Sequence, residues 1–553
     1  MKEFEEYFSF EAIVGDLIRW RLRGKDLGGV LPPRRDWLRA GLKGRKGVPP
    51  EVVRRQAIWR TVIRVCGDEG ECCQCGNVAS ANVASCQLHP QRGERFVLPM
   101  RLGGTPRPTE LRWVQNLMKL VDEVQGAVFS GKVAFEAPRM IKIEKGRENG
   151  VKTFREVASF DRLADRVILS RMTAYVRDRL EPSLTEHCYS FRRDASVTHQ
   201  SAVKRLQEFR ERFSAGSLFV AECDIKKFFD SISHDVVRRC WDGMEFDARA
   251  RKVLEAYLAV YSSSETERRG LPQGGALSTV LANLVLRVAD AAVQKVDDGQ
   301  LFYARFCDDV VFVHPREEGC RRAMDAYAEA LRGLELPLHP VEDFVYRPSD
   351  EARTSYYGIK SKGPFRWRAA EVGECGCAPW VSFLGSQIRY DGETRIRKES
   401  IKNHIRSLGR ETAAAVREIQ DGAFQPASMR RRTSGTGINV EAWFARFRNR
   451  LIAKGVGYVT AKVQDCGMCW AGAFPNVTAC ADTKMQMRRL DRVREGMLCK
   501  VWNILVERGE LKVGRHRYKG RPFSYFGFLE KAVRPTNMAR RRRIVRMLPY
   551  SAL

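Results

Sequence analysis

The stretch LFYARFCDDVVFVH, residues 301–314, sets a polar centre, Cys307-Asp308-Asp309, between two short apolar runs. Both runs are rich in aromatic and β-branched residues, so the polar break between them predicts a β-hairpin with adjacent carboxylates at its bend. Carboxylate oxygens suit Mg²⁺, which takes one or two of them together with substrate phosphates. Two such ions can clamp the attacking and leaving oxygens of a phosphoryl transfer. Asp-Asp is also ordinary turn chemistry, and a plain surface turn is the competing reading of this stretch taken alone. The rest of the chain decides between them.

The chain has 553 residues, enough for several domains, and 44% of them are hydrophobic, enough for a large core. Its 96 Lys and Arg outweigh 67 Asp and Glu, leaving a formal charge of +29. A field of that size points to a polyanionic partner, nucleic acid first and anionic membrane second. No run of eighteen or more apolar residues occurs, so no membrane-spanning helix is expected. The opening MKEFEEYFSFEAIVGDLIRW is acidic and lacks a signal-peptide plan, which leads us to expect a cytoplasmic protein. Sixteen cysteines in that setting read as reduced thiols or metal ligands and not as a disulfide framework.

Residues 1 to about 65 interleave Arg19, Arg21, Arg23, Lys25, Arg34, Arg35, Arg39, Lys43, Arg45 and Lys46 with Trp20, Trp37 and Trp59. Such a surface suits RNA, where phosphates take the charge and bases stack. A solvated helical face with tryptophans turned inward is the other reading. Cys72-x-x-Cys75 followed by Cys86-x-x-His89 has the two-plus-two spacing of a structural zinc site. Cys66 and Cys73 are spare, so the ligand set is ambiguous, and ordinary thiols would account for the same residues.

Helical periodicity covers 111–128, 161–182, 195–213 and 317–333, the last with Cys320, Met324, Tyr327 and Leu331 inward. Residues 133–159 read as two strands joined by a charged turn, where Lys142, Lys145, Lys152 and Arg155 could face a triphosphate. In SLFVAECDIKKFFDSI, residues 217–232, an apolar strand ends at Asp224, where a rigidly held carboxylate suits a metal ligand. Asp230 reads as a cap or ion-pair partner. GLPQGGALSTVLANLVL, residues 270–286, is a Gly/Pro loop running into an apolar helix, with Leu277, Leu281, Leu284 and Val288 marking one face. Its glycines allow close backbone approach to a flat ligand, and Gln273 can hydrogen-bond it. Residues 381–400 form a hairpin, and Lys402, His404, Arg406 and Arg410 begin a basic helix. Arg430-Arg431-Arg432 lies in a Ser/Gly/Thr-rich joint, and the chain closes on a helical 488–502 and a basic tail, Arg540 to Arg543 with Arg546. Cys375-x-Cys377 and Cys466-x-x-Cys469 could form a second metal site, although nothing in the sequence shows that they meet.

Strand-Asp224, the Leu271-Pro272-Gln273-Gly274-Gly275 loop and hairpin-Asp308-Asp309 occur in a fixed order. That ordered set resembles the palm of reverse transcriptases, over roughly 111–410. DRVILSRMTAYVRDRLEPSLTEHCYSFRRDASVTHQSAV is similar to the finger region of group II intron enzymes, and FLGSQIRYDGETRIRKES to their primer grip. The resemblance implies an α+β right-hand polymerase whose palm sheet is RNA-recognition-like. Fingers and palm would span 111–393, the thumb 394–460 and a basic helical C-terminal region 461–553, after a basic, helical and zinc-binding extension over 1–110. It implies that Asp224, Asp308 and Asp309 bind two Mg²⁺ with help from the Ile225 carbonyl. Phe229 would be the gate against a ribose 2′-hydroxyl, Gln273 and Gly274 would line the incoming dNTP, and Arg155 would meet its triphosphate.

Departures from the family pattern are Cys307 before the paired aspartates, Thr279 after Ser278, and Glu342 or Asp343 where a lysine is usual. No His-Asn-His nuclease or integrase motif is evident. Within the family the chain most resembles bacterial defence-associated, unknown-group reverse transcriptases related to group II intron enzymes. That implies a dedicated non-coding RNA as template or scaffold, a DNA product, no membrane, and a partner reverse transcriptase or a second copy as a candidate associate. A group II intron maturase, and an RNA-binding scaffold with a relict palm, are the alternatives.

Overall fold

The computed structural model describes residues 2–22, 27–32, 58–59, 62, 111–148, 151–194, 196–213, 216–262, 268–347, 359–421, 440–456, 470, 474–511 and 524–527. The Cys72, Cys75, Cys86 and His89 cluster, Cys466 and Cys469, Arg430 to Arg432 and the basic tail lie outside the described residues. The chain forms two compact units, residues 1–183 with 229–285, and residues 184–228 with 286–553.

The first unit is mainly helical. Helix Leu163–Leu180 packs against Arg112–Ser130 and against the N-terminal helices Phe4–Tyr7 and Phe10–Leu22. Tyr175, fully buried, gathers Phe4, Tyr7 and Phe246 around its ring at 5.1, 5.3 and 5.9 Å. From this core extends an antiparallel hairpin, β1 (Arg139–Glu148) and β2 (Val151–Ser159), with a register irregularity at Glu144/Gly146. Leu117, Leu120, Val121 and Val124 are buried along Arg112–Ser130, as their spacing requires.

The second unit is built on a sheet. Its strands are β3 (Leu218–Cys223), β4 (Phe302–Phe306), β5 (Asp309–His314), β6 (Val341–Glu342) and β7 (Ser361–Trp367), in the order β4-β5-β3-β7-β6, with β8 (Cys377–Ala378) also on β7. Alternation divides the side chains between two faces. Leu218, Val220, Val311, Val313 and Ala304 cluster with Ala202, Val203, Leu206 and Phe209 of helix His199–Arg212. That helix starts on a capping box between Thr198 and Ser201. Tyr303 and Phe312 face the other way and meet Tyr327 of helix Glu317–Gly333 at 6.3 and 5.6 Å. Each such ring or branched side chain, fully buried, contributes roughly 1.5–3 kcal/mol. Helices Lys398–Gln420, Val440–Val456 and Ala481–Glu507 pack around Leu408, Phe447 and Leu498.

Three expectations change. Residues 381–400 are not a simple hairpin: β9 (Trp380–Phe383), β10 (Ser386–Arg389) and β11 (Thr394–Ile396) make a three-stranded meander, and the helix already begins at Lys398. The tight turn at Asp391-Gly392 adds a strand that the pattern of 394–396 was too short to reveal. Val288 is 42% exposed, because the buried stripe of helix Ala276–Lys295 drifts to Val285, Ala289 and Val293 in its second half. That helix is also long and apolar enough to cross a membrane by length and composition, but most of it is buried inside the protein. It is apolar because it is core.

Candidate active site

The register of β3 with β5 pairs Val220 with Val313, Glu222 with Val311 and Cys223 with Val310. The ladder ends there, and Asp224, the next residue, is close enough to Asp309 for its charge to act on that carboxyl. Opposed residues share a face and the period is two, so Glu222, Asp224 and Asp309 lie on one side of the sheet. β4 and β5 pair Phe306 with Asp309, leaving Cys307 and Asp308 as a two-residue loop. Cys307 has φ 60° and Asp308 is not among the positive-φ residues, the pattern of a II′ turn, whose first central position ordinarily favours glycine. Asp224, Asp308 and Asp309 thus come together within the second unit.

Asp309 reaches solvent but has protein close around it. Lost hydration, then the charge of Asp308, and less strongly Asp224 and Glu222, push its carboxyl up to about 6 against the pull of Arg397. Burial likewise pushes the Cys307 thiol far above its usual range, so it stays a neutral thiol. Crowded carboxylates that raise one another's proton affinity are what a bound cation relieves.

Asp224 has two basic neighbours, Lys360 Nζ at 3.6 Å and His339 Nε2 at 3.7 Å from its Oδ2. Its backbone amide donates to Ser361 Oγ at 3.1 Å. The His339 amide donates to the Asp224 carbonyl at 2.9 Å, and the Lys226 amide to the Pro337 carbonyl at 2.8 Å. These two bonds bracket Ile225, which opposes Leu338, without using the Ile225 carbonyl. Two residues earlier, Glu222 is held at 2.6 Å by Lys362, which is 2% exposed. Both lysines come from one short stretch, Lys360 just before β7 and Lys362 within it.

The other expected residues gather in the first unit. The Ala158 amide donates to the Gln273 carbonyl at 2.8 Å, tying β2 to the Gly/Pro loop. Gly274 has φ +92°, and a Cβ there would stand 2.3 Å from Val157 Cγ1. Arg155 is two residues from Val157 on the same face of β2, opposite Ile143, and is exposed. Phe229 lies at the loop's other side: its carbonyl accepts from the Leu271 amide at 2.8 Å. Ser278 Oγ donates to the Pro272 carbonyl at 2.6 Å and meets the buried Tyr257 hydroxyl at 2.6 Å. The loop is thus pinned from three sides, by β2, by Phe229 and by Ser278.

Among the described residues, no three His, Cys, Asp or Glu side chains close into a complete metal-binding group by themselves. The all-oxygen donors Asp224, Asp308 and Asp309 fit Mg²⁺ all the same, since that ion keeps waters and substrate phosphates as ligands and seldom sits in an all-protein cage.

Residues 143–341 match the family model described as reverse transcriptase (RNA-dependent DNA polymerase). The chain is 28% identical over 180 residues to a COX1/OXI3 intron 1 protein of Saccharomyces cerevisiae, covering 32% of this chain and 20% of that protein. It is 25% identical over 232 residues to the retrovirus-related Pol polyprotein from type-1 retrotransposable element R2 of Nasonia vitripennis, covering 38% and 22%. The matched part is about a fifth of the length of these relatives. An apo telomerase structure from Candida tropicalis aligns over 51% of this chain and 60% of its own at 10% identity, with a TM-score of 0.33, too low for the likeness to bear on fold or function.

Proposed function

We propose that this protein is an RNA-directed DNA polymerase that joins dNTPs to a primer 3′-hydroxyl with release of pyrophosphate. The observation that carries the reading is the β3–β5 pairing, which brings Asp224 near Asp309 and Asp308 inside the stretch that matches the reverse transcriptase family model. In this reading Asp224, Asp308 and Asp309 hold two Mg²⁺, with the Ile225 carbonyl as a further donor. The ions, when bound, supply Lewis-acid stabilisation of the attacking and leaving oxygens. Gln273 and Gly274 receive the base and sugar of the dNTP, Arg155 meets its triphosphate, and the Phe229 ring excludes a ribose 2′-hydroxyl. The surplus of +29 supports a nucleic-acid partner.

At the finer level, we infer a bacterial, cytoplasmic enzyme that works with a dedicated structured RNA in defence against phage. RNA of defined size should copurify with it and be removed by nuclease. The likeness to an intron-borne protein supports a second reading, an intron maturase with reverse transcriptase activity. Intron sequence around the gene separates the two. Primer extension on an RNA template, with wild type and the double change Asp308→Ala with Asp309→Ala, tests the chemistry. Incorporation should vanish in the variant while RNA binding persists. Cellular function that survives the double change would make the protein a scaffold and not a polymerase.

A further inference from the structure

Arg305 of β4 and Asp290 of helix Ala276–Lys295 are both 0% exposed and form a two-pronged ion pair. Arg305 Nε donates to Asp290 Oδ1 at 2.7 Å and Nη2 to Oδ2 at 2.6 Å. The Tyr303 hydroxyl donates to the same Oδ1 at 2.7 Å. The remaining terminal nitrogen, Nη1, donates to the carbonyl of Cys307 at 3.2 Å. Cys307 is the residue in left-handed backbone, and Asp308 and Asp309 follow it directly. Arg305 is itself gripped through its backbone: its amide donates to the His187 carbonyl at 2.8 Å, and its carbonyl accepts from the Tyr189 amide at 2.9 Å.

A fully buried charge is expensive, and removing one partner of such a pair is strongly unfavourable. An apolar pair would fill this space at less cost, so the arrangement calls for a role beyond packing. A left-handed turn residue that is not glycine needs its surroundings to hold it. The guanidinium is planar and rigid, and Asp290 fixes its Nε–Nη2 edge, so Nη1 presents its N–H at a set place. We infer that Asp290 and Arg305 are positioning residues: they hold the Cys307 carbonyl, and through it the turn that carries Asp308 and Asp309. The inference rests on the polymerase reading for its chemistry and on the ion pair alone for its geometry. Lysine at 305 keeps the charge but lacks the fork, and asparagine at 290 keeps the shape but lacks the charge.

The test uses the full-length protein as wild type, Arg305→Lys, Asp290→Asn, Tyr303→Phe and Val313→Ala. The last opens a cavity in β5 away from the turn and serves as a control for lost stability. Each is melted, titrated with Mn²⁺ while free Mn²⁺ is followed by electron paramagnetic resonance, and assayed for dNTP incorporation in Mg²⁺. Arg305→Lys and Asp290→Asn should bind Mn²⁺ about tenfold more weakly and lose about a hundredfold in kcat, the scale of an ångström's misplacement, with KM for dNTP held. Tyr303→Phe, which keeps the ion pair, should show a severalfold loss in the same direction and carries the test if the stronger changes do not fold. Val313→Ala should lose melting temperature but keep Mn²⁺ affinity. Equal Mn²⁺ binding in wild type and variants, or losses matching those of Val313→Ala at equal stability, would overturn the positioning role. A wild type that incorporates nothing sinks the polymerase reading alone, because the Mn²⁺ comparison still decides this one.

Discussion

Replacing Gly274 by alanine tests how the nucleotide loop is built. Gly274 has φ +92°, and an added Cβ would lie 2.3 Å from Val157 Cγ1. Ordinary carbon–carbon contact is near 3.5 Å, so more than about 1 Å must be found somewhere. Val157 is β-branched and stiff at χ1, and it yields poorly. The 2.8 Å bond from the Ala158 amide to the Gln273 carbonyl keeps β2 and the loop from simply parting. Positive φ costs alanine about 1–2 kcal/mol, and overlap in a tight contact adds about 1–3 kcal/mol. We expect Gly274→Ala to lose about 2–5 kcal/mol of local stability and, by displacing the loop from Arg155, about a hundredfold in kcat/KM for dNTP. The assay is primer extension over a dNTP series, beside urea unfolding. Val157→Ala in the same chain removes the overlap but not the backbone cost, so the double variant should regain a large part of both losses. Wild-type kcat/KM in Gly274→Ala, or no recovery in the double variant, would refute the reasoning.

Other outcomes follow from the same geometry. His404 is 4% exposed, stacks on Trp470 at 4.1 Å and meets the Tyr525 hydroxyl at 2.7 Å. Burial first, then Lys454, brings its pKa down to about 4, so it is neutral when folded. The unfolded chain takes up the proton near pH 6.5, so stability should fall as pH drops from there towards 4, by up to about 3 kcal/mol. Urea midpoints of wild type and His404→Gln at pH 7 and 4.5 check this, and an equal pH dependence in both would count against it. Lys362→Met strands Glu222 beside the aspartates and should cost about 3–5 kcal/mol. Adding Glu222→Gln should recover most of that in thermal melts, and a double variant no better than the single would show that the pair is not coupled. Phe229→Ala should raise rNTP incorporation relative to dNTP by at least about tenfold, a 1.4 kcal/mol change in discrimination. An unchanged ratio in competitive extension would remove its gating role.

Local pattern made many elements legible before any coordinates. Alternating and continuous apolar runs marked β3, β4 and β5, and helical spacing marked Arg112–Ser130 and Glu317–Gly333, because each element buries a whole face. Asp224 and Asp308-Asp309 could be singled out because carboxylates stand out at the ends of such strands. Glu222, Lys362, Lys360 and His339 were overlooked, since a charged residue inside or beside a strand looks like any solvated one until its partner is known. Arg305 and Asp290 left a fainter signal, single charges within the apolar FYARF and VADAAV. Each charge alone argues only for burial with some partner.

The sequence by itself determined β3, β4 and β5, helices such as Arg112–Ser130 and Glu317–Gly333, the acidic bend and the glycine loop, because these follow from side-chain period and backbone freedom within a few residues. Only the tertiary structure decided that Asp224 comes near Asp309, that Lys360 and His339 lie beside Asp224, and that Arg305, held by Asp290, reaches the Cys307 carbonyl. Those facts depend on strand order and register between segments up to about 140 residues apart, which side-chain pattern along one strand cannot encode.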